Sequence, residues 1–139
     1  MKTSELRLGN WIQGNVIYQN RVVYGCRPMR VISIFDGEIY ADFDENPGDC
    51  WEYTEDEIQG VPLTSEVIEK IKGAEVTQVK GEVNFLVWTI AQGFEIDESI
   101  SESGTYLTEI NDNAHKLQYL HELQNLYFAL YGEELEVTL

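Results

Sequence analysis

The stretch MRVISIFDGEIYADF, residues 29–43, decides how the chain folds. Asp36-Gly37 lies between two alternating segments. A two-residue type I′ turn needs positive φ at both central positions, which Asp and Gly tolerate. A hairpin of residues 29–35 and 38–43 follows, opposing Phe35 to Glu38, Ser33 to Tyr40 and Val31 to Asp42. One face then carries Ile32, Ile34, Ile39, Ala41 and Phe43 and is expected to be core. The other carries Val31, Ser33, Tyr40 and Asp42 and is expected to be half exposed. A one-residue slip would invert the faces, so the apolar pattern itself specifies the register.

On the N-terminal side, residues 6–34 read as β structure. Gly9-Asn10 and Gly14-Asn15 are turn signals. Around them stand Trp11-Ile12, Val16-Ile17-Tyr18 and Val22-Val23-Tyr24, rich in β-branched and aromatic residues. On the C-terminal side, Asn46-Pro47-Gly48 marks a loop, and residues 50–53 and 57–61 suit short strands. Residues 63–73 suit a helix capped by Thr64, stapled by Leu63 and Ile68 and closed by Gly73. Strands are expected at 75–80, 83–90, 94–96 and 105–110, with a mobile Ser- and Glu-rich loop at 98–104. Residues 83–90 are apolar on both faces, which predicts a central strand covered on both sides.

Asn113 can cap a final helix over 114–131, ended by Gly132. Tyr119, Leu120, Leu123, Leu126, Tyr127 and Leu130 form its apolar face. Gln118, His121, Glu122 and Asn125 lie opposite, as a solvated face or a contact surface. The fold class is therefore α+β: a barrel-like β half at 1–62, then an antiparallel sheet with two helices at 63–139. The C-terminal helix is the longest, and the halves pack as one unit.

The 139 residues carry 43% apolar side chains, enough for a core and too many for global disorder. The net charge of −16 repels phosphate backbones and disfavours direct nucleic-acid binding. It is unevenly spread. Residues 1–34 are basic through Lys2, Arg7, Arg21, Arg27 and Arg30 against Glu5 alone. Either the acidic remainder neutralises them within the fold, or they form a basic patch for an anionic partner. No apolar N-terminal leader and no Asn-x-Ser/Thr sequon is present, so a cytoplasmic home is expected, with Cys26 and Cys50 as reduced, partly buried thiols. The longest apolar run, residues 85–91, is too short for the ~20 residues of a membrane span.

The opening KTSELRLGNWI, the middle EIQGVPLTSEVIEKI and the closing LQYLHELQNLYFALYGEELEV resemble a family of short uncharacterised proteins. These are encoded by gut Bacteroidetes-type bacteria, often in prophages and other mobile elements. The resemblance covers both ends and the first helix and implies a cytoplasmic accessory protein, with no catalytic residue carried over. The N-terminal pattern also looks like a small SH3-like barrel: a Gly-Asn-apolar first strand, a tight hairpin, then a short strand ahead of a helix.

No motif commits the chain to a reaction. Asp42, Asp44, Asn46 and Gly48 alternate like a calcium loop, but Pro47 stands where Gly is needed and Tyr53 where Glu is needed. His115 and His121, six apart on the expected helix, point about 120° apart and make a poor metal pair. No phosphate loop, dinucleotide fingerprint or nucleophile elbow occurs. No catalytic residue, metal ligand or cofactor is assigned. The candidate partner-binding residues are Trp11, Tyr24, Arg27, Arg30, Trp51, Gln118, His121 and Asn125. The aromatics among them, with Tyr18 and Tyr53, serve either as core or as an open stacking edge. The expected function is a non-enzymatic protein-interaction module. An acidic nucleic-acid mimic would need carboxylates at regular spacing on one face. An unrecognised enzyme would need a deep pocket with converging polar groups.

Overall fold

The computed structural model describes residues 1–24 and 27–139, and of strand residues 16–18 and 22–24 it describes the backbone. The protein is a mixed α+β chain with two antiparallel sheets and two helices, the C-terminal one longer. It divides into two compact units. The first comprises Met1–Val61 with Leu120–Asn125; the second comprises Pro62–Tyr119 with Leu126–Leu139.

In the first unit the strands are β1 (Trp11–Tyr18), β2 (Arg21–Tyr24), β3 (Met29–Phe35), β4 (Glu38–Asp42), β5 (Trp51–Thr54) and β6 (Ile58–Gly60). The sheet runs β2-β1-β3-β4-β5, with β6 on β1, and does not close into a barrel among the described residues. Asp36 and Gly37 adopt φ of 52° and 78°, as a type I′ turn requires. Phe35 faces Glu38 and Ser33 faces Tyr40, as expected. Beyond them a bulge at Ile32 shifts the ladder, so Val31 opposes Ala41 and Arg30 opposes Asp42. One extra residue reverses the alternation. Val31 is therefore buried and Ile32 is exposed, the opposite of the simple pattern. Asp42 is buried too, and its carboxylate accepts the Gly48 N–H at 2.8 Å, tying down the following loop. The core gathers Leu6, Ile12, Met29, Val31, Ile39, Ala41 and Ile58.

Gly14-Asn15 is not a turn: both residues lie inside β1. Gly14 is required there because a Cβ would overlap the Tyr53 ring, which packs on the strand. The reversal comes later, at Gln19 and Asn20, with φ of 49° and 61°. Cys50 is a free, exposed thiol in the loop before β5, not a partly buried one. Cys26 lies outside the described residues.

In the second unit Thr64 caps α1 (Ser65–Glu69), its hydroxyl accepting the Val67 N–H at 3.2 Å. Five strands follow: β7 (Glu75–Val79), β8 (Phe85–Ala91), β9 (Phe94–Glu98), β10 (Tyr106–Ile110) and β11 (Asn113–Leu117). They form a meander, β11-β10-β9-β8-β7. Its core face carries Trp88, Ile90, Phe94, Ile96, Tyr106 and Leu117, all buried. Trp88 meets Tyr106 edge-on, ring centroids 5.6 Å apart. The strand β8 is not covered on both sides: Trp88 and Ile90 are buried, whereas Phe85 and Val87 on its other face are half-buried.

The helix expected over 114–131 is shorter. Asn113–Leu117 is β11, and α2 spans Leu120–Tyr131. Asn111 and Asp112, with φ of 52° and 64°, make a hairpin turn that returns the chain onto β10. Asn113 is thus the first residue of a strand rather than a helix cap. Gly132, with φ of 70°, ends α2 as expected.

Candidate functional site

The polar side of α2 is where the structure departs furthest from an amphipathic surface helix. In the first unit, His121 and Gln124 are buried together with Leu120 and Leu123. Of the four residues expected on the polar face, His121 is buried, Glu122 and Asn125 are half-buried and Gln118 is exposed. Gln124 bridges two backbone groups of the approach to β1: its Oε1 accepts the Trp11 N–H at 3.0 Å and its Nε2 donates to the Gly9 carbonyl at 3.1 Å. Asn125, beside it, joins two side chains and one backbone carbonyl of the same segment. Its Oδ1 accepts from Asn10 Nδ2 at 2.9 Å and from Arg7 Nη1 at 3.4 Å, while its Nδ2 donates to the Glu5 carbonyl at 2.9 Å. Burial pushes the His121 imidazole below its ordinary pKa, partly offset by Glu122 and Glu5. The two Gln124 contacts pair backbone groups at buried and part-buried positions, a structural role.

The other candidate residues are distributed as follows. Trp11 is buried, with the Arg30 guanidinium 4.3 Å from its ring centroid. Arg30 also pairs with Asp44 at 2.8 Å. Arg27 pairs with Glu45 at 2.8 Å and lies 4.6 Å over Phe43. The Glu45 carboxyl is held below the usual range by its own backbone N–H and by Arg27. So Arg27 and Arg30, two members of the basic N-terminal stretch, meet acids within the unit. Trp51 is 53% exposed at the start of β5, opposite Ala41. Tyr24, on β2, pairs with Asn15 of β1, and its side chain lies outside the described residues. Gln118, in the second unit, is exposed ahead of α2, and its carbonyl accepts the Leu63 N–H at 2.9 Å. His115 is exposed on β11, so it shares no helix with His121.

Two outward faces carry carboxylates. On the first sheet Tyr40 stands opposite Glu52, and its hydroxyl donates to Glu38 at 3.0 Å. Hydrogen bonding to Glu38 raises the Glu52 pKa, because two carboxyls in contact favour one shared proton.

On the second sheet the cross-strand register sorts the solvent-facing side chains into rows. Val79 stands beside Phe85. The next row is Thr77, Val87, Asp97, Leu107 and Lys116. The third holds Glu75, Thr89 and Glu95. Glu109, two residues along β10 from Leu107, lines an open depression of about 380 Å³ with Gly93, Glu95, Asp97 and Leu107. Burial, then the neighbouring Glu95, raises the Asp97 pKa. A second open depression of about 300 Å³ is lined by Val83, Phe85, Ser99 and Ile100 among others. These rows were not foreseen from the sequence, because each is assembled from residues on different strands.

Among the described residues, no group of three or more His, Cys, Asp or Glu side chains is placed to hold a metal ion, and no helix is long and apolar enough to cross a membrane. Compared with known proteins, the chain matches no family model, no curated protein and no solved structure.

Proposed function

We propose that the protein is a non-enzymatic protein-interaction module, a cytoplasmic accessory protein of the kind mobile elements carry. The observation that carries this reading is the second sheet: one face is filled with Trp88, Ile90, Phe94 and Ile96, while the other presents half-buried apolar side chains beside a row of carboxylates. Binding surfaces combine apolar area with charges that select the partner. The depressions on that face are open, which suits contact with a macromolecule better than enclosure of a small substrate.

The first unit is read as SH3-like in its order of elements. A long β1–β2 hairpin leads to the β3-β4-β5 meander, and a 3-10 turn at Glu55–Glu57 returns the chain as β6 onto β1. That likeness is one of fold and assigns no ligand. Asn125, Arg27 and Arg30, candidates for partner contact, also bond within their own unit.

The acidic-mimic reading keeps one supporting observation, the row of Glu75, Glu95 and Glu109. It predicts that the partner's own nucleic acid competes for the same face.

The test is affinity capture by the immobilised chain from the producing cell. It is followed by reconstitution with the recombinant partner and mass measurement by light scattering. A stoichiometric complex is expected. Absence of any such complex, or turnover of a substrate abolished by one polar substitution, would replace the reading.

A further inference from the structure

We infer that the solvent-facing side of the second sheet is a docking surface for a basic amphipathic helix of a protein partner. This rests on the interaction-module reading and adds a site and a partner chemistry to it.

The face is graded in one direction. At one end, Val79 and Phe85 form an apolar row, continued by Val83 and Ile100 at 52% and 65% exposure. The middle row adds Val87 and Leu107 around Asp97. The far row holds Glu75, Glu95 and Glu109 across the sheet. Rows two residues apart along a strand are about 7 Å apart, so three rows span roughly 14 Å, slightly more than the width of one helix. Five strands at ~4.8 Å spacing are about 19 Å across, the length of a helix of some 13 residues. A helix lying across the strands would set its apolar flank on Val79, Phe85, Val87 and Leu107. Its other flank would lie along the carboxylates.

The charge selects the occupant. A neutral helix would strip water from Glu75, Glu95, Asp97 and Glu109 without pairing them, which is costly. Lysines or arginines on one flank remove that cost. A second copy packed face to face would set these carboxylates against themselves, and anionic lipid or nucleic acid meets the same repulsion.

The probe is a fluorescein-labelled 14-residue synthetic peptide with leucine on one helical face and lysine on the other, read by anisotropy at about 150 mM salt, where screening acts over ~8 Å. A Glu75→Gln, Glu95→Gln, Glu109→Gln triple variant is expected to weaken binding at least tenfold. A control triple with the same charge change at acids outside the face, Glu38→Gln, Glu69→Gln, Glu133→Gln, should weaken it less than threefold. A Val87→Thr, Leu107→Thr pair, which removes apolar surface with a β-branched strand former at both positions, should weaken it about fivefold or more; circular dichroism confirms that each variant stays folded. Equal loss in both triples would mean attraction to net charge alone and would overturn the inference. So would unchanged binding in the Val87–Leu107 variant, or self-association of the free chain blocked by the face triple. A captured natural partner that ignores the face triple would remove this site yet leave the interaction reading standing.

Discussion

Replacing Gln124 by Leu should destabilise the first unit by about 1–4 kcal/mol. The side chain is 1% exposed and bridges the Trp11 N–H and the Gly9 carbonyl. Leucine fills similar volume but supplies neither acceptor nor donor. Each buried backbone group left without a partner costs about 1–3 kcal/mol, and two are orphaned together. Some of that is recovered by leucine's own burial, of order 1–2 kcal/mol. With a urea dependence of about 2 kcal/mol per molar, the unfolding midpoint should fall by roughly 0.5–2 M. The second readout is site-specific: amide exchange at Trp11 should lose protection, while amides of β8 and β9 keep theirs. Gln124→Glu keeps the acceptor for Trp11 but buries a carboxylate against the Gly9 carbonyl, so it should cost at least as much as leucine at pH 7. A midpoint within about 0.2 M of wild type, with Trp11 still protected, would refute the claim that the polar side of α2 holds the approach to β1.

Three further outcomes follow from the geometry. Gly14→Ala places a methyl against the Tyr53 ring and should cost about 1–3 kcal/mol, read as a lower melting temperature; Gly14→Ala combined with Tyr53→Leu should recover part of it. Burial depresses the His121 pKa, so its neutral form is favoured in the folded state. That contribution is complete above the ordinary value near 6.5 and is lost as pH falls from there through the depressed folded value. The urea midpoint should therefore drop more between pH 7.5 and 5 in wild type than in His121→Gln; parallel curves would contradict it. Asp112, at φ 64° in the β10–β11 turn, should accept Gly without loss but lose about 1–2 kcal/mol as Val, measured by thermal unfolding.

The hairpin around Asp36-Gly37 was legible because its turn chemistry and its apolar alternation agree. The bulge was not, since Val31, Ile32 and Ile34 are equally apolar and nothing local marks which residue is extra. The α2 periodicity showed itself, but its start did not: Asn113 suits a helix cap as well as a strand after a tight turn. Only the pairing of Thr108 with His115 and of Tyr106 with Leu117 decides for the strand. Burial of Gln124 was hidden because its partners are backbone groups 113 and 115 residues away in sequence. Arg27 and Arg30 were legible as basic residues among acids, and the choice between patch and internal pairing needed Asp44 and Glu45 in space. The graded face was invisible for a further reason. Each strand shows only one or two of its members, and the row of Glu75, Glu95 and Glu109 exists only once the register is known.

The central claim is that the uncovered side of the second sheet is the working surface of this protein. The most direct measurement is a methyl NMR titration of the labelled chain with its captured partner. Val79, Val87 and Leu107 signals should shift first and most, while Ile39, Ile58 and Leu123 stay in place. Shifts centred on the first sheet, with Val87 and Leu107 unmoved, would contradict it.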